Sequence, residues 1–310
     1  MERSSTLACS KQRSMIIKSY VLRGGRMTAA QERCYNLLKN QFCIPLQDKN
    51  IDTANIFKND MPLVVEIGFG SGLATELMAK YNPLKNYLGI EVFKSGIGKL
   101  LWRIEQNSLT NIRIIEGDAQ LILHDMIADN SVACFNIFFP DPWPKKRHHK
   151  RRLVQRPFTN MLAAKLVDGG FVHFASDIED YAEFALAELS NTDGLQNCFD
   201  NYAPPELIRI PAAEPRTQNK ARAEGVFALT ESCTPGLIPS VSPHSLARET
   251  SSVQRLLNPT ARIKLAADCK EQRYAYSKVI DDKILRRPKT KFEERAINAQ
   301  RQIFDVVFKK

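Results

Sequence analysis

The chain has 310 residues, of which 44% are hydrophobic and 25% are charged. This composition is typical of a globular protein and excludes collagen-like and wholly disordered classes. No apolar run approaches the roughly eighteen residues of a membrane-spanning helix, so we expect no membrane protein. The formal net charge is +10 and the sequence pI is near 9.2, which favours a polyanionic partner if the positive charges cluster.

Cysteine usage and the N-terminus indicate the compartment. The seven cysteines are an odd number and include no Cys-x-x-Cys pair, which argues against a disulfide framework or a zinc ribbon. The N-terminus lacks the apolar stretch of a secretion signal, so we expect a cytoplasmic protein. The alternative is a short organellar presequence at residues 1–16, which are rich in serine and arginine.

Residues 1–60 are predicted to form a basic, partly helical lead-in. Thr28 is a candidate N-cap, and apolar residues from Cys34 to Phe42 recur at helical spacing.

Strands and helices then alternate at intervals of about 25 residues over a predicted core, residues 61–205. The predicted strands are Leu63–Ile67, Tyr87–Glu91, Ile112–Glu116, Val132–Phe139 and Phe171–Ala175. The predicted helices are Leu73–Tyr81, Ile97–Asn107, Leu121–Ile127, Phe158–Leu166 and Tyr181–Leu189. Such alternation predicts an α/β, Rossmann-like fold with a mostly parallel sheet and helices on both faces.

The regular pattern ends near Pro204. Residues 206–285 carry Pro, Ser, Thr and Ala with scattered charge, and their one candidate helix lies around Lys264–Ile280. We interpret them as an atypical insertion that is either loosely folded or disordered. Residues 286–310 are expected to rejoin the core, with Gln302–Phe308 as a late strand.

Acidic residues recur at the ends of four consecutive predicted strands. Glu66 lies in the first strand, and Glu91, Asp118 and Asp141 stand at the ends of the next three, with separations of 25, 27 and 23 residues. The carboxyl ends of parallel strands share one edge, so we expect a rim of carboxylates there. A helix cap is the usual role of a single such residue, but an unpaired carboxylate in a buried strand is costly, which favours a functional role for Glu66.

Glycines follow the first strand at positions 68, 70 and 72, where they allow a tight turn close to a ligand. A dinucleotide site needs a third glycine where Leu73 stands, and a rim of carboxylates would repel a pyrophosphate. S-adenosyl-L-methionine carries a positive sulfonium and donor groups instead. We therefore predict a class I adenosylmethionine-dependent methyltransferase with cofactor contacts at Glu66, Gly68, Gly70 and Glu91.

A proline-rich loop ends the fourth strand, with the sequence Phe138-Phe139-Pro140-Asp141-Pro142-Trp143-Pro144. Three prolines hold Asp141 in a stiff loop, which suits a group that meets a reacting centre without reorganising. The alternative is a rigid turn around a packed Trp143. We predict that Asp141 is the active-site residue.

A basic run, Lys145–Arg152, follows immediately and holds six Lys or Arg in eight positions. Such a run can be a solvated face or a nuclear-localisation-like address. It begins four residues after Asp141, which favours a phosphate-binding strip and a nucleic-acid substrate over a small molecule. The adjacent His148 and His149 lack a ligand cluster, so we expect no metal.

Together these motifs resemble the bacterial tRNA (guanine-N7-)-methyltransferase family. The resemblance covers residues 18–205 and 286–308. It rests on the segments Ser19–Gln31, Glu66–Gly70, Gly89–Val92, Phe139–Arg152 and Thr290–Arg295.

The resemblance implies methyl transfer from S-adenosyl-L-methionine to guanine N7 in the variable loop of tRNA. It implies cofactor binding by Glu66, Glu91, Asp118 and Asp141, the last also acting at the reacting centre. It implies substrate guanosine binding by Lys145, Asp177, Thr290, Lys291, Phe292 and Glu293. It implies tRNA contacts by Arg147, His148, His149, Lys150, Arg151 and Arg152.

Two features depart from that family's pattern. About eighty residues separate Tyr202 from Thr290, where the family has a short stretch, and a looser echo of the motif lies at Pro215–Gly225. The family's glycine-containing steps after the motif are replaced by Arg295–Gln300. The alternative function is therefore an RNA-binding protein that keeps the fold without turnover. Monomer and homodimer both stay open, and no protein partner is predicted.

Overall fold

The computed structural model describes residues 17–21, 25–210 and 285–310, whose strands form a seven-stranded sheet. The strands are β1 (Leu63–Ile67), β2 (Asn86–Glu91), β3 (Ile112–Glu116), β4 (Val132–Phe138), β5 (Leu166–Ser176), β6 (Gln196–Asn197) and β7 (Phe304–Lys309). Their order is β3-β2-β1-β4-β5-β7-β6, with β1 to β5 parallel and β7 antiparallel to both of its neighbours. The predicted, mostly parallel α/β sheet is confirmed.

Helices connect the strands and flank the sheet. They are α1 (Ala29–Phe42), α2 (Thr53–Phe57), α3 (Leu73–Tyr81), α4 (Lys94–Asn107), α5 (Ala119–Met126), α6 (Phe158–Lys165), α7 (Glu179–Ser190), α8 (Pro205–Ile208) and α9 (Lys291–Asn298), with a 3₁₀ helix at Lys146–Arg151. The predicted lead-in helix begins at Thr28, whose hydroxyl accepts from the Gln31 amide at 3.3 Å in a capping box.

Two apolar cores lie on opposite faces of the sheet. Val65 belongs to the core that includes Leu123 of α5 and Leu162 of α6. The preceding residue, Val64, belongs to the other core with Met78 and Leu100, because successive side chains of a strand point to opposite faces. Helices therefore cover both faces, as the sequence pattern predicts.

The largest difference from the predicted elements is the start of β5. The sequence predicts a strand from Phe171, but the structure begins it at Leu166, in a stretch whose glycines suggest a turn. The chain's last residue holds this stretch in the sheet: the Gly169 amide donates to the Lys310 carbonyl at 3.0 Å, and the Lys310 amide donates to the Gly170 carbonyl at 2.9 Å. Such a distant partner cannot be read from local pattern.

The chain on the two sides of residues 211–284 meets at a parallel bridge between Arg209 and Arg287. The Arg287 amide donates to the Ile208 carbonyl at 2.7 Å, and the Ile210 amide donates to the Arg287 carbonyl at 3.1 Å. Residues 208–210, within the start of the predicted insertion, thus pair with the returning chain. Residues 211–284, which include the helix predicted at Lys264–Ile280, lie outside the described residues.

Within the described ranges, no helix is long and apolar enough to cross a membrane. The same residues contain no group of three or more His, Cys, Asp and Glu side chains arranged to bind a metal.

Candidate functional site

The strand order reverses between β1 and β4, which lie side by side with their neighbours on opposite sides. In open α/β sheets, ligands bind beyond the carboxyl ends of the strands at this point. Glu66 and Glu91 lie in the last two positions of β1 and β2, and Asp141 follows β4. Because β1 is parallel to both β2 and β4, the three residues lie at one edge of the sheet. Burial foremost, and the charge of Asp141 in addition, raise the pKa of Glu91.

Glu66 is buried with a single side-chain partner. Its carboxylate accepts a hydrogen bond from the Thr75 hydroxyl of α3 at 2.6 Å, and the residue is 3% exposed. Burial raises the pKa of Glu66 to about 7; the Thr75 bond opposes this rise and the charge of Glu91 adds to it. An acidic group without a cation, at the point where ligands bind, is suited to a positively charged or donor-rich ligand.

Glu91 holds the turn at residues 68–72, the glycine turn, through hydrogen bonds to the backbone. One carboxylate oxygen accepts from the Gly70 amide at 2.7 Å, and the other accepts from the Val92 and Phe93 amides at 2.7 and 3.2 Å. Burial raises the pKa of Glu91, while these backbone hydrogen bonds oppose the rise. The side chain therefore fixes the turn that follows β1.

The glycine turn leaves open space for a ligand. Gly68 and Gly70 have φ of 72° and 56°, and a Cβ built on either would meet nothing within 4 Å. A Cβ on Gly72 would instead lie 2.7 Å from Leu100 of α4, so this glycine allows helix packing. Backbone without side chains beside two buried carboxyl groups fits an adenosylmethionine-sized ligand that approaches the turn closely.

Asp118 caps α5 and meets the N-terminal segment. Its carboxylate accepts from the Gln120 amide at 2.9 Å. It also forms a hydrogen bond with the Tyr20 hydroxyl, and burial together with the charge of Asp118 raises the pKa of Tyr20. The helix-cap role is thus present, and this carboxylate lies next to a tyrosine.

The Asp141 loop is held in an unusual backbone conformation. Phe139 and Trp143 both have positive φ, 52° and 46°, which is rare for bulky residues and is found mostly at functional sites. The Trp143 indole donates to the Ser19 carbonyl at 2.9 Å, and the Phe139 amide donates to the Ala175 carbonyl at 2.8 Å. Asp141 itself is exposed between these anchors.

The basic run divides into exposed and anchored residues. Lys145, Lys146, Arg147 and Lys150 are exposed. Arg151 lies over the Trp143 ring at 3.7 Å from the centroid and donates to backbone carbonyls of the N-terminal segment, those of Lys18 and Tyr20, at 3.0 and 3.2 Å. The exposed members can reach a phosphate backbone directly.

The two histidines of the run are partly buried. His148 packs edge-on against Trp143, with ring centroids 5.9 Å apart. Partial burial and the surrounding cations, foremost Arg147, lower the pKa of His148. His149 Nε2 lies 3.8 Å from a carboxylate oxygen of Asp180. Both imidazole rings therefore pack against the protein and are less accessible than the exposed cations of the run.

Arg152 does not occupy the position expected of a tRNA contact. Its side chain is 1% exposed, pairs with Asp180 and donates to the Pro142 carbonyl at 3.1 Å. The guanidinium also lies 5.0 and 4.9 Å from the ring centroids of Tyr181 and Phe184. Residues of α7 thus enclose the guanidinium of Arg152 in this structure, and the tRNA contact that the resemblance implies for it stays a prediction.

The predicted guanosine-binding residues other than Lys145 lie directly after β5 and at the start of α9. Asp177, directly after β5, forms an ion pair with Arg301 at 2.6 Å. Thr290 is the N-cap of α9, and its hydroxyl accepts from the Glu293 amide at 3.1 Å. Both residues thus have structural partners in addition to the role that the resemblance implies.

Glu293 is buried among cations. It is 2% exposed and forms ion pairs with Arg287, at 2.7 Å, and with Arg209. The neighbouring Phe292 is 53% exposed, and its ring stacks on Phe139 with centroids 6.0 Å apart. The exposed Phe292 ring, which we call the aromatic face of α9, therefore lies beside the Asp141 loop. The carboxylate of Glu293, in contrast, is neutralised by its arginine partners.

Sequence reasoning missed four side chains that hold the site together: Tyr20, Arg287, Arg301 and Asp305. Asp305 offered a signal, because it is the single acidic residue in the apolar run that became β7. Arg287 and Arg301 lie among many arginines of the basic C-terminal region, so no local pattern separates them.

Known proteins resemble this chain over most of its length. The family model described as "Putative methyltransferase" matches residues 60–226. A tRNA (guanine-N(7)-)-methyltransferase of Bordetella pertussis is 43% identical over 213 residues, which are 69% of this chain and 84% of the relative. Relatives of the same name from Francisella philomiragia and Nitrosomonas eutropha are 44% and 45% identical, over 68% and 66% of this chain and 93% and 90% of their own lengths.

The match includes the glycine turn, the carboxylate rim and the Asp141 loop, since the family model spans all of them. At this identity and coverage, the chain belongs to the tRNA (guanine-N(7)-)-methyltransferase family.

Proposed function

We propose that this protein methylates N7 of a guanine in tRNA, with S-adenosyl-L-methionine as the methyl donor. The observation that carries the proposal is a pair of buried acidic residues, Glu66 and Glu91, beside an open glycine turn and near an exposed cationic run. The names of the relatives agree with this interpretation. The variable-loop guanosine is the target that the family resemblance suggests.

The donor supplies an electrophilic methyl group: the N7 lone pair forms the new N–C bond as the C–S bond breaks, which leaves a neutral thioether and a cationic purine. N7 carries no proton, so no general base is needed before attack. The protein must chiefly align the two reactants and exclude water.

Three carboxyl groups would hold the donor. Glu66 and Glu91 lie next to the open glycine turn and can accept from hydroxyl and ammonium groups, and their negative charge favours a sulfonium over a neutral ligand. Asp118 lies at the end of the following strand and is suited to accept from an adenine amine. Gly68 and Gly70 would let the donor approach the backbone.

Asp141 would act at the reacting centre. It is exposed in a stiff loop at the same edge of the sheet as Glu91, so it would lie between the donor and solvent. Its carboxylate, with that of Asp177, would stabilise the positive charge that develops on the purine. Lys145 and the aromatic face of Phe292 flank the same loop and would hold the guanine.

The cationic run would bind the tRNA backbone. Lys146, Arg147 and Lys150 are exposed within ten residues of Asp141, so phosphates bound there would bring a displaced base to the loop. Arg151 and the two histidines would support this surface from below. Monomer and homodimer are equally compatible with the proposal, and a cytoplasmic location is expected from the substrate.

The test is a methylation assay with the purified full-length chain, unmodified tRNA transcripts and S-adenosyl-L-methionine, followed by nucleoside mass spectrometry. We expect 7-methylguanosine with the wild-type chain. For Asp141→Asn, we expect kcat to fall by about a hundredfold or more, because an electrostatic contact to the reacting centre is removed without a change of shape.

Binding measurements separate the outcomes. Donor binding by calorimetry together with the absence of 7-methylguanosine would favour the RNA-binding protein without turnover. A wild-type rate in Asp141→Asn would remove Asp141 from the reacting centre and leave the rest of the proposal standing.

A further inference from the structure

A buried cluster of charged residues lies directly under the Asp141 loop. Arg287, Asp305, Glu293 and His173 are each at most 2% exposed, and Arg209 lies at their edge. Two arginines and two carboxylates make the cluster neutral overall, because burial lowers the pKa of His173 and favours its uncharged ring. A buried ion-pair cluster is often no more stable than an apolar replacement, so stability alone does not account for it.

Arg287 is the centre of this cluster. Its guanidinium donates two hydrogen bonds to the Asp305 carboxylate, at 2.7 and 2.8 Å, and a third to Glu293 at 2.7 Å. His173 also contacts Asp305, at 2.8 Å from Nε2. Burial acts to raise the pKa of Asp305, but the charge of Arg287 together with the hydrogen bonds from His173 and Arg287 outweighs it and holds that pKa well below the usual range. The pair is therefore charged.

Arg287 also contacts the strand that leads into the Asp141 loop. Its guanidinium carbon lies 5.4 and 5.6 Å from the ring centroids of Phe138 and Phe139. Phe139 has φ of 52° and is separated from Asp141 by one proline. The same ring stacks on Phe292 of α9. The Arg287 guanidinium thus contacts β7, the first turn of α9 and Phe139, the residue with positive φ at the start of the Asp141 loop.

We propose that Arg287 is a positioning residue for methyl transfer, fixing Asp141 and the α9 face relative to each other. This inference rests on the proposed function. Arg287 would act through Phe139 and Glu293, without a contact to substrate or donor of its own. Only a planar guanidinium can serve three hydrogen bonds and two aromatic faces at once, so lysine should not replace it.

The test compares Arg287→Lys with wild type in steady-state methylation and thermal unfolding. We expect kcat to fall by about tenfold to a hundredfold, because small misplacement of reacting groups slows catalysis strongly. Donor affinity by calorimetry should stay unchanged, since the glycine turn and Glu91 lie on other elements.

Arg113→Lys is the matched control. The guanidinium of Arg113 likewise donates several hydrogen bonds, here to backbone carbonyls that include those of Thr110 and Ile56 at 2.9 and 3.1 Å, and lies over two aromatic rings. It is on β3, away from the Asp141 loop. We expect a lower melting temperature in this variant with an unchanged kcat. A merely structural role for Arg287 would give the same pattern in both variants.

A wild-type kcat in folded Arg287→Lys would overturn the inference while the proposed function stands. If that variant does not fold, Asp305→Asn decides, because it keeps the shape of the cluster and weakens its hold on Arg287. A fall in kcat with unchanged donor affinity would then support the inference, and an unchanged kcat would overturn it. The absence of 7-methylguanosine from the wild-type chain would overturn the proposed function, and this inference with it.

Discussion

At the scale of single residues, Glu66 shows a conflict between stability and ligand binding. A carboxyl group near the end of a buried strand has one hydroxyl partner and no cation. The folded protein therefore favours its protonated form, and burial raises its pKa from 4.5 to about 7. A positively charged donor would be favoured by an ionised Glu66. The charge that would favour donor binding therefore lowers the stability of the folded protein.

This conflict predicts a particular pH dependence of stability. The folded state holds a proton on Glu66 that the unfolded state has released between pH 4.5 and 7, so the free energy of unfolding should fall as the pH rises through this window. The loss attributable to Glu66 is up to about 3 kcal/mol. Glu66→Gln cannot ionise and should lose this component, which urea unfolding at pH 5 and pH 8 would measure.

Glu76→Gln is the control for that measurement. Glu76 is equally buried but forms ion pairs with Arg103 and with Lys80, so its replacement should lower stability at both pH values. If wild type and Glu66→Gln lose the same stability between pH 5 and pH 8, Glu66 is not the group that titrates. Weaker donor binding by Glu66→Gln at pH 8 would complete the argument that its charge serves the ligand.

At the scale of elements, α9 begins beside the proposed site and ends in a strained turn. Its first turn presents Thr290 and Phe292 beside the Asp141 loop. Its last turn closes with the Arg301 amide donating to the Ala296 carbonyl at 2.8 Å and the Gln300 amide donating to the Ile297 carbonyl at 2.9 Å. This is a Schellman motif, in which the left-handed position usually carries glycine. Here it carries Gln300, with φ of 54°.

Gln300→Gly should therefore stabilise the protein. Glycine adopts the left-handed region without the steric penalty of a Cβ, so we expect the free energy of unfolding to rise by about 0.5–1 kcal/mol. Urea denaturation at constant pH would measure the gain. Gln302→Gly, two residues on where φ is negative, should instead lose stability, because it only adds freedom to the unfolded chain. Equal effects of the two substitutions would contradict the strain at Gln300.

The alternation of strands and helices could be predicted from sequence because each element carries its own pattern. The predicted strands β1 to β4 differ from the structure by at most one residue at either end. The two-residue β6 and the four-residue α8 were missed, since such short elements carry no periodicity. The carboxylates of the rim were predictable because each stands at a strand end.

The rest of the site depends on partners far along the chain. In the sequence, Arg152 is one more cation of a solvated run, and only the packing of Tyr181 and Phe184 encloses it. Glu293 follows Thr290 as an ordinary carboxylate, and only the return of the chain at Arg287 neutralises it. Burial of a charge is decided by tertiary neighbours, which a basic or acidic run does not reveal.

At the scale of the whole molecule, negative and positive charges are separated, with acidic residues buried at the site and basic residues exposed around it. The net charge is +10, yet the carboxyl-end edge of the sheet holds the buried acids Glu66 and Glu91. The exposed side of that edge carries Lys145, Arg147 and Lys150. A polyanion would be attracted to the surface of the site while a cationic donor would be favoured inside it.

This separation predicts how salt should affect tRNA binding. Removing a cation that binds a phosphate reduces the dependence of log Kd on log salt concentration, so Arg147→Gln combined with Lys150→Gln should lower the slope by about 1.5. Fluorescence anisotropy with a labelled tRNA between about 50 and about 200 mM salt would measure it. The paired control, Lys49→Gln with Lys58→Gln, removes the same charge from exposed positions before β1, outside the basic run. Both variants lower the net charge from +10 to +8, so a purely global attraction would weaken binding equally in the two.

A slope that falls only in the Arg147 and Lys150 variant would locate the phosphates at the Asp141 loop. Equal slopes in the two variants would remove these residues from the interface.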